Sequence, residues 1–281
     1  MCQDCGCSEV GPIQIGYEHH VHIPEQPSQL QTESKPDLME PLPRRLEIQT
    51  NLLSQNDRIA AQNRSFFDAQ CWQVINILSA PGSGKTALIE RLVKDCRDRW
   101  QIGVIVGDLA TDNDAQRLEK AGTTAVHITT GNACHLEAGM IAKAVERLPK
   151  AQWDLLIIEN VGNLVCPAAF DLGEHLRVVL LSVTEGEDKP LKYPTMFKSA
   201  QVVIVNKADI ADAVGWDRES AIANIQKIAP QATIFEVSAR TGEGMEHWYA
   251  YLDNGIQQAQ ISQLSQTSNL RLEYGKNILK R

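Results

Sequence analysis

The stretch Val74-Ile75-Asn76-Ile77-Leu78-Ser79-Ala80-Pro81-Gly82-Ser83-Gly84-Lys85-Thr86 joins a short apolar run of strand type to a glycine-rich turn, and a helical pattern follows it. Strand, loop and helix in that order make a phosphate-binding loop. Gly82 and Gly84 let the backbone curl so that successive N–H groups, that of Ser83 among them, point inward. Lys85 can then reach the β and γ phosphates, Thr86 can offer its hydroxyl to magnesium, and the helix contributes its positive N-terminal end. The usual pattern opens with glycine six residues before the lysine, where this chain has Ser79. The surrounding strand and helix carry the assignment in its place.

Outward from this loop, β-type runs alternate with helical segments from Val74 to about Leu252. Strands are expected near residues 74–78, 102–106, 124–129, 155–159, 178–183, 202–206 and 232–237. That alternation predicts an α/β protein of the P-loop NTPase kind, with a mostly parallel seven-stranded sheet and helices on both faces. Ahead of it, Leu46, Ile48, Leu52, Leu53, Ile59 and Phe66 fit an amphipathic helix from about Arg44 to Phe67. The organisation read from composition is a Cys- and His-bearing N-terminus (1–23), a disordered Pro/Gln/Ser/Glu-rich linker (24–43), a nucleotide-binding domain with its leading helix (44–256) and a mobile or weakly helical Gln/Ser-rich tail (257–281).

Base choice is read from Asn206-Lys207-Ala208-Asp209, at the end of the apolar run Val202-Val203-Ile204-Val205. In GTPases the aspartate of such a motif accepts hydrogen bonds from guanine N1 and N2, donors that adenine does not supply in that arrangement, so adenine leaves buried polar groups unpaired. Ser238-Ala239-Arg240 follows another strand-like run and resembles the further guanine-contacting loop of GTPases. GTP and GDP are therefore the expected nucleotides. Asp108, Asp114 and Glu159 fall at or beyond strand ends, where a hard cation such as magnesium finds oxygen ligands and where parallel sheets bind ligands. They are the candidates for magnesium binding and hydrolysis, Asp108 with Thr86 for the cation. Asp112 and Asp114 also suit helix N-capping.

With 281 residues and 43% hydrophobic content, the chain can hold one large α/β domain plus extensions. A formal charge of −8, with no basic stripe, argues against nucleic acid as a partner. No apolar run reaches the length of a membrane span and the N-terminus lacks the pattern of a signal peptide, so a cytoplasmic protein with no membrane partner is expected. Seven cysteines in a reducing compartment point to thiolate chemistry more than to disulfides.

Three of those thiols, Cys2, Cys5 and Cys7, lie within six positions, close enough for a flexible backbone to wrap them round one ion. Thiolates favour nickel, zinc and copper over calcium or magnesium, and both square-planar nickel and tetrahedral zinc suit the set. His19, His20 and His22 stand near the linker, either as assisting ligands or as solvated side chains. A second set, Cys134-His135 and Cys166, lies inside the domain. Buried cysteines and histidines also serve as packing residues, and three ligands leave a site that a symmetry mate or water would complete. Cys71 and Cys96 read as packing residues. The segment Glu159-Asn160-Val161-Gly162-Asn163-Leu164-Val165-Cys166 joins a glycine placed to sense a nucleotide γ-phosphate to one of these soft ligands.

Taken together, Met1-Cys2-Gln3-Asp4-Cys5-Gly6-Cys7, the phosphate loop, Gly107-Asp108 with Asp114-Ala115, residues 131–137, residues 158–173, Thr184-Glu185-Gly186-Glu187-Asp188-Lys189-Pro190-Leu191-Lys192-Tyr193-Pro194 and Asn206 to Asp209 resemble the HypB family of hydrogenase nickel incorporation GTPases, of the SIMIBI class. The resemblance spans roughly two thirds of the chain. It implies a metal-binding GTPase that dimerises across its nucleotides and helps deliver nickel to the [NiFe]-hydrogenase large subunit precursor, with a zinc-bearing accessory protein of HypA type. It implies that Cys2, Cys5 and Cys7 form a tight nickel site, and that Cys134, His135 and Cys166 form a nickel or zinc site near the dimer interface. It further implies phosphate and magnesium contacts for Lys85 and Thr86, hydrolytic or magnesium roles for Asp108, Asp114 and Glu159, guanine reading by Asp209, and positions near the partner's nucleotide for Lys189 and Lys192.

The expected mechanism is that GTP with magnesium orders the loops around Asp108 to Asp114 and Glu159 to Gly162, closes a homodimer and alters the geometry of Cys134, His135 and Cys166. Two alternatives stand beside it. A urease-type nickel GTPase fits less well, because the N-terminal cysteines and the 184–194 block favour hydrogenase maturation. A nickel-storage protein with a weak GTPase is the other, against which the intact Lys85-Thr86 and Asn206 to Asp209 motifs argue.

Overall fold

Seven strands form one sheet in the order β3-β2-β4-β1-β5-β6-β7, with β1 (Gln73–Ser79) at its centre. The others are β2 (Ile102–Asp108), β3 (Thr124–Thr129), β4 (Leu155–Glu159), β5 (Leu176–Ser182), β6 (Val202–Asn206) and β7 (Thr233–Glu236). This computed structural model describes the backbone of residues 44–109 and 112–278, and the side chains of 51–109 and 112–261. Cys2, Cys5, Cys7, His19, His20, His22 and the expected linker lie outside the described residues. The chain divides into units Met1–Thr50 and Asn51–Arg281, and the second holds the sheet.

Each neighbouring pair of strands runs parallel, so the expectation of a mostly parallel sheet is met in full. The sequence cause is that the central strands are buried on both sides and read as continuous apolar runs. Alternate residues of β1 sort to opposite faces: Ile75 and Ile77 pack with Leu88, Ile89 and Leu92 of α2 (Lys85–Cys96), Leu118 of α3 (Asn113–Ala121) and Trp248 of the final helix. Val74 packs on the other side with Phe67 of α1 (Arg44–Gln70) and Ile141 of α4 (Ala138–Val145), while Leu78 joins the cluster of Met196 and Ile225. Those last two belong to α6 (Pro194–Lys198) and α7 (Arg218–Ile228), which follow the short α5 (Lys189–Lys192). Each such aliphatic side chain, fully buried, contributes roughly 1.5–3 kcal/mol.

Cys71 and Cys96 are buried packing residues, as read, and burial pushes the Cys96 thiol up to about 11, out of the reactive range.

The final helix, α8, runs over Met245–Ile278 and so takes in the start of the tail, at 257, that composition reads as mobile or weakly helical. No proline interrupts that stretch, and its Gln and Leu residues are good helix formers. Helix α1 is present, but its buried stripe differs from the one its apolar residues suggest: Leu52 and Phe66 are 59% and 44% exposed, and the residues turned inward are Asn56, Ala60, Asn63 and Phe67. Their spacing of four, three and four residues is helical, yet half of them are amides, which a hydrophobic pattern cannot register.

Candidate nucleotide and metal site

The carboxyl ends of the parallel strands meet along one edge, and register brings their last residues level. Ile77 of β1 and Val106 of β2 both pair with Glu159, and Ser182 of β5 pairs with Asn206 of β6. The phosphate loop leaves β1 at this edge. Gly82 and Gly84 have φ of 76° and 99°, so the turn takes the left-handed backbone that glycine permits. At Gly84 the space is also closed, because an added Cβ would stand 2.6 Å from the Asn206 amide nitrogen.

Lys85 is buried, and its ammonium donates to Ser79 Oγ over 3.0 Å. Ser79, the residue in place of the usual glycine, thus holds the lysine along the loop. Burial lowers the Lys85 pKa, while Glu159, Asp114, Glu185 and Asp108 oppose that effect. Those four carboxylates mark the acidic surroundings of the loop. Thr86 Oγ1 donates to Glu159 Oε1 over 2.7 Å, which leaves the hydroxyl's lone pairs available to a cation. Glu159 Oε2 is buried without a hydrogen-bond partner, and burial pushes this carboxyl up to about 7 despite the Thr86 bond and Lys85. An orphaned carboxylate oxygen and a hydroxyl of this kind suit magnesium, with Asp108 at the end of β2 and Asp114 in the first turn of α3 nearby in the fold.

The 206–209 motif and the 238–240 loop lie together. Asn206 Nδ2 donates to Ser83 O over 3.0 Å while its Oδ1 accepts from Ala239 N over 3.1 Å, tying the phosphate loop to the 238–240 loop. Lys207, at φ 65°, donates to Gly82 O over 2.8 Å. Asp209 accepts from Ser238 Oγ (2.6 Å) and Arg240 Nε (3.1 Å), and the Ser238 bond holds its carboxyl below the usual range. Lys192 pairs with Asp188 at 2.5 Å and Lys189 lies 5.3 Å from the Tyr193 ring centroid, both on the 184–194 segment.

Cys134, His135 and Cys166 converge: one ligand atom from each lies within 4.8 Å of the others. Cys166 opens a 3-10 turn, Cys166–Ala169, whose exit Arg177 fixes by donating to Ala168 O and Phe170 O. The His135 ring stacks on Phe170 at 3.9 Å, and both ring nitrogens are buried with no hydrogen-bond partner. The Glu137 carboxylate stands 3.6 Å from Nε2, an electrostatic contact too long for a hydrogen bond. Burial lowers the His135 pKa against the opposing pull of Glu137, a shift toward the neutral imidazole that a metal ligand must be. Two sulfurs and an unpartnered imidazole are a donor set for a borderline ion such as nickel or zinc.

The two halves touch through the segment after β4. A Cβ on Gly162 would meet Pro81 Cα at 3.1 Å, so this residue packs directly on the phosphate loop. The next side chain, Asn163, donates to Cys134 O over 3.3 Å and accepts from Val165 N over 2.9 Å.

Two participants, Glu185 and Asn160, lie in stretches of the family resemblance that assign them no role. Glu185 accepts from Ser83 Oγ at 2.5 Å and from Ser182 N at 3.1 Å, with its other oxygen buried and unpartnered. Asn160 accepts from Val161 N and Leu136 N and donates to Asn76, linking the residue after β4 to β1 beneath the site. An asparagine inside the apolar run of β1 was the one available hint.

Residues 73–236 match the family described as CobW/HypB/UreG, nucleotide-binding domain. The hydrogenase maturation factor HypB of Rhizobium leguminosarum bv. viciae is 51% identical over 208 residues, covering 74% of this chain and 70% of that protein. Among solved structures, HypB from Helicobacter pylori in complex with nickel superposes with a TM-score of 0.70 at 42% identity, over 73% of this chain and 96% of that one. HypB from Archaeoglobus fulgidus gives 0.68 at 41% identity, over 72% and 99%.

Proposed function

The chain belongs to the CobW/HypB/UreG family, among the HypB hydrogenase maturation factors, and from that premise we propose that it is a GTP-hydrolysing nickel metallochaperone whose GTP-dependent dimerisation is coupled to metal binding. It serves hydrogenase maturation; the finer assignment is that it passes nickel toward the [NiFe]-hydrogenase large subunit precursor together with a HypA-type accessory protein, in the cytoplasm. Cys2, Cys5 and Cys7 form one metal site and Cys134, His135 and Cys166 the other, with nickel as cargo and zinc as the competing ion. The observation that carries the coupling is the short path from Pro81 through Gly162 and Asn163 to Cys134 and Cys166.

In this reading the loop N–H groups and Lys85 bind the β and γ phosphates, and Asp209 with the 238–240 loop reads guanine. Thr86 and Asp108 would hold magnesium, which when bound would supply charge neutralisation at the phosphates. Water attacks the γ-phosphorus, the bond to the β-bridging oxygen breaks, and GDP and phosphate result. Loss of the γ-phosphate frees the Gly162 segment, and Asn163 carries the change to the carbonyl of Cys134 and the backbone before Cys166.

The test is a nickel titration with GDP and with a non-hydrolysable GTP analogue, while molecular mass is followed. A dimer with the analogue, and an affinity that differs between the two nucleotides, is the expected result. Equal nickel affinities would sink the coupling, since linkage requires each ligand to alter the other's affinity by the same factor.

A further inference from the structure

Helix α1 carries two buried asparagines, Asn56 and Asn63, each 6% exposed. They are seven residues apart, about two helical turns, so both amides emerge on one face. Each amide spans the same two segments. Asn56 Oδ1 accepts from Ala138 N over 2.8 Å while its Nδ2 donates to Asp171 O over 2.7 Å. Asn63 Nδ2 donates to Ala138 O over 2.9 Å and to Leu172 O over 3.0 Å. The partners fix the amide orientation, because a backbone N–H can only donate and a carbonyl can only accept.

Ala138 begins α4 and closes the segment that carries Cys134 and His135. Asp171 and Leu172 follow Phe170, the residue stacked on His135 at the exit of the Cys166 turn. Arg64 adds a 2.7 Å ion pair to Asp171, and a Cβ on Gly173 would meet Ala60 O at 2.7 Å, so α1 lies in direct contact with the segment that leaves this turn. Docking a helix needs only its apolar side chains, and Phe67 already supplies that. Two amides on the same face add geometric information, since an amide that bonds two segments sets the distance between them.

We propose that Asn56 and Asn63 are positioning residues for the internal metal site, holding the Cys134 and His135 segment at a set spacing from the Cys166 segment. The inference rests on the reading of Cys134, His135 and Cys166 as metal ligands. It assigns α1, which contributes no ligand, the role of an outer frame whose placement sets the ligand geometry. Groups that orient metal ligands from outside typically change affinity by about ten- to a hundredfold when removed.

The test uses the full chain with Cys2, Cys5 and Cys7 replaced by alanine, so that internal nickel is read alone. Nickel affinity, the thiolate-to-nickel charge-transfer band, thermal midpoint and nickel-free GTP turnover are measured in this background and with Asn56→Ala, Asn63→Leu and Asn56→Asp. Asn56→Ala and Asn63→Leu should weaken nickel binding about ten- to a hundredfold and shift the band, with GTP turnover retained. Asn56→Asp keeps the acceptor for Ala138 N but sets a buried carboxylate oxygen against the Asp171 carbonyl, so it should weaken nickel binding at least as much as Asn56→Ala. Unchanged affinity and band, with only a lower midpoint, would overturn the proposal and leave the amides a docking role. A background protein that binds no nickel would remove the metal reading and this inference with it.

Discussion

Thr86 Oγ1 and Glu159 Oε1 are joined by a 2.7 Å hydrogen bond, which ties the first turn of α2 to the last residue of β4. The bond consumes the threonine's proton and one carboxylate oxygen, leaving the hydroxyl lone pairs and a second, unpartnered carboxylate oxygen. Gly162, against the phosphate loop, lies three residues beyond Glu159. One strand end therefore bears on both the cation site and the segment that leads to Cys166.

Glu159→Gln should change how stability depends on pH. Burial raises this carboxyl from 4.5 to about 7, so between those values the folded chain holds a proton that the unfolded chain releases. The resulting stabilisation is fully present below about pH 4.5 and is lost as pH rises through about 7. Without nucleotide, the parent should lose on the order of 3 kcal/mol relative to Glu159→Gln across that window. Urea midpoints of both proteins at about pH 5 and about pH 8 measure it; a difference that stays constant with pH rejects the assignment.

Gly84→Ala should abolish tight nucleotide binding. The substitution meets two obstacles, a φ of 99° and an Asn206 amide 2.6 Å from the new carbon. Moving Asn206 breaks its bonds to Ser83 O and Ala239 N, which disconnects the phosphate loop from the 238–240 loop. Gly215→Ala is the control, with φ 65° and open space around the site, so it carries the backbone cost of about 1–3 kcal/mol alone. Calorimetric titration with GDP should show more than about a tenfold loss for the first and near-parent affinity for the second.

The phosphate loop, all seven strands and the alternation of faces were legible because each depends on local chemistry: glycine at a tight turn, β-branched runs in a buried parallel sheet, period-two packing. Strand order was not, since the pairing of β1 with β4 and β5 is set by crossover helices and distant contacts. The Cys134, His135 and Cys166 cluster needed a family likeness to bring residues 166 and 134 together, which spacing alone could not do. Asn56, Asn63, Asn160 and Glu185 escaped for a common reason. Their meaning lies in backbone groups and loops far along the chain, and no periodicity in polar residues announces such partners.

Asp209→Asn should move base preference from guanine toward xanthine. The aspartate offers only acceptors, matched to the guanine N1 and N2 donors, whereas an asparagine amide offers a donor as well, which suits the carbonyl that xanthine carries at C2. The Ser238 hydroxyl, which now donates to Asp209 over 2.6 Å, can still donate to the amide oxygen, so the loop is retained. A loss of about ten- to a hundredfold in GTP affinity is expected, with a gain for xanthosine triphosphate. Competition between the two nucleotides measures it, and an unchanged ratio would remove Asp209 as the base reader.

Asn163→Ala should separate the two activities without removing either. Its amide is the side chain that reaches from the Gly162 segment to Cys134 O, while its Oδ1 holds Val165 N one residue before Cys166. The substitution leaves the thiols, the imidazole, Lys85 and Thr86 in place, so both metal and nucleotide should still bind. What it removes is the connection by which a change at Pro81 and Gly162 shifts the spacing of Cys134 and Cys166. Coupling energies of this type alter affinity by about 5- to 150-fold, and the ratio of nickel affinities with GDP and with a GTP analogue should fall toward one in the variant. Measured with Cys2, Cys5 and Cys7 replaced by alanine, a ratio as large as that of the matching background would show that the signal travels by another route. The reciprocal measurement, nucleotide affinity with and without nickel, must give the same factor, which guards against an effect on metal binding alone.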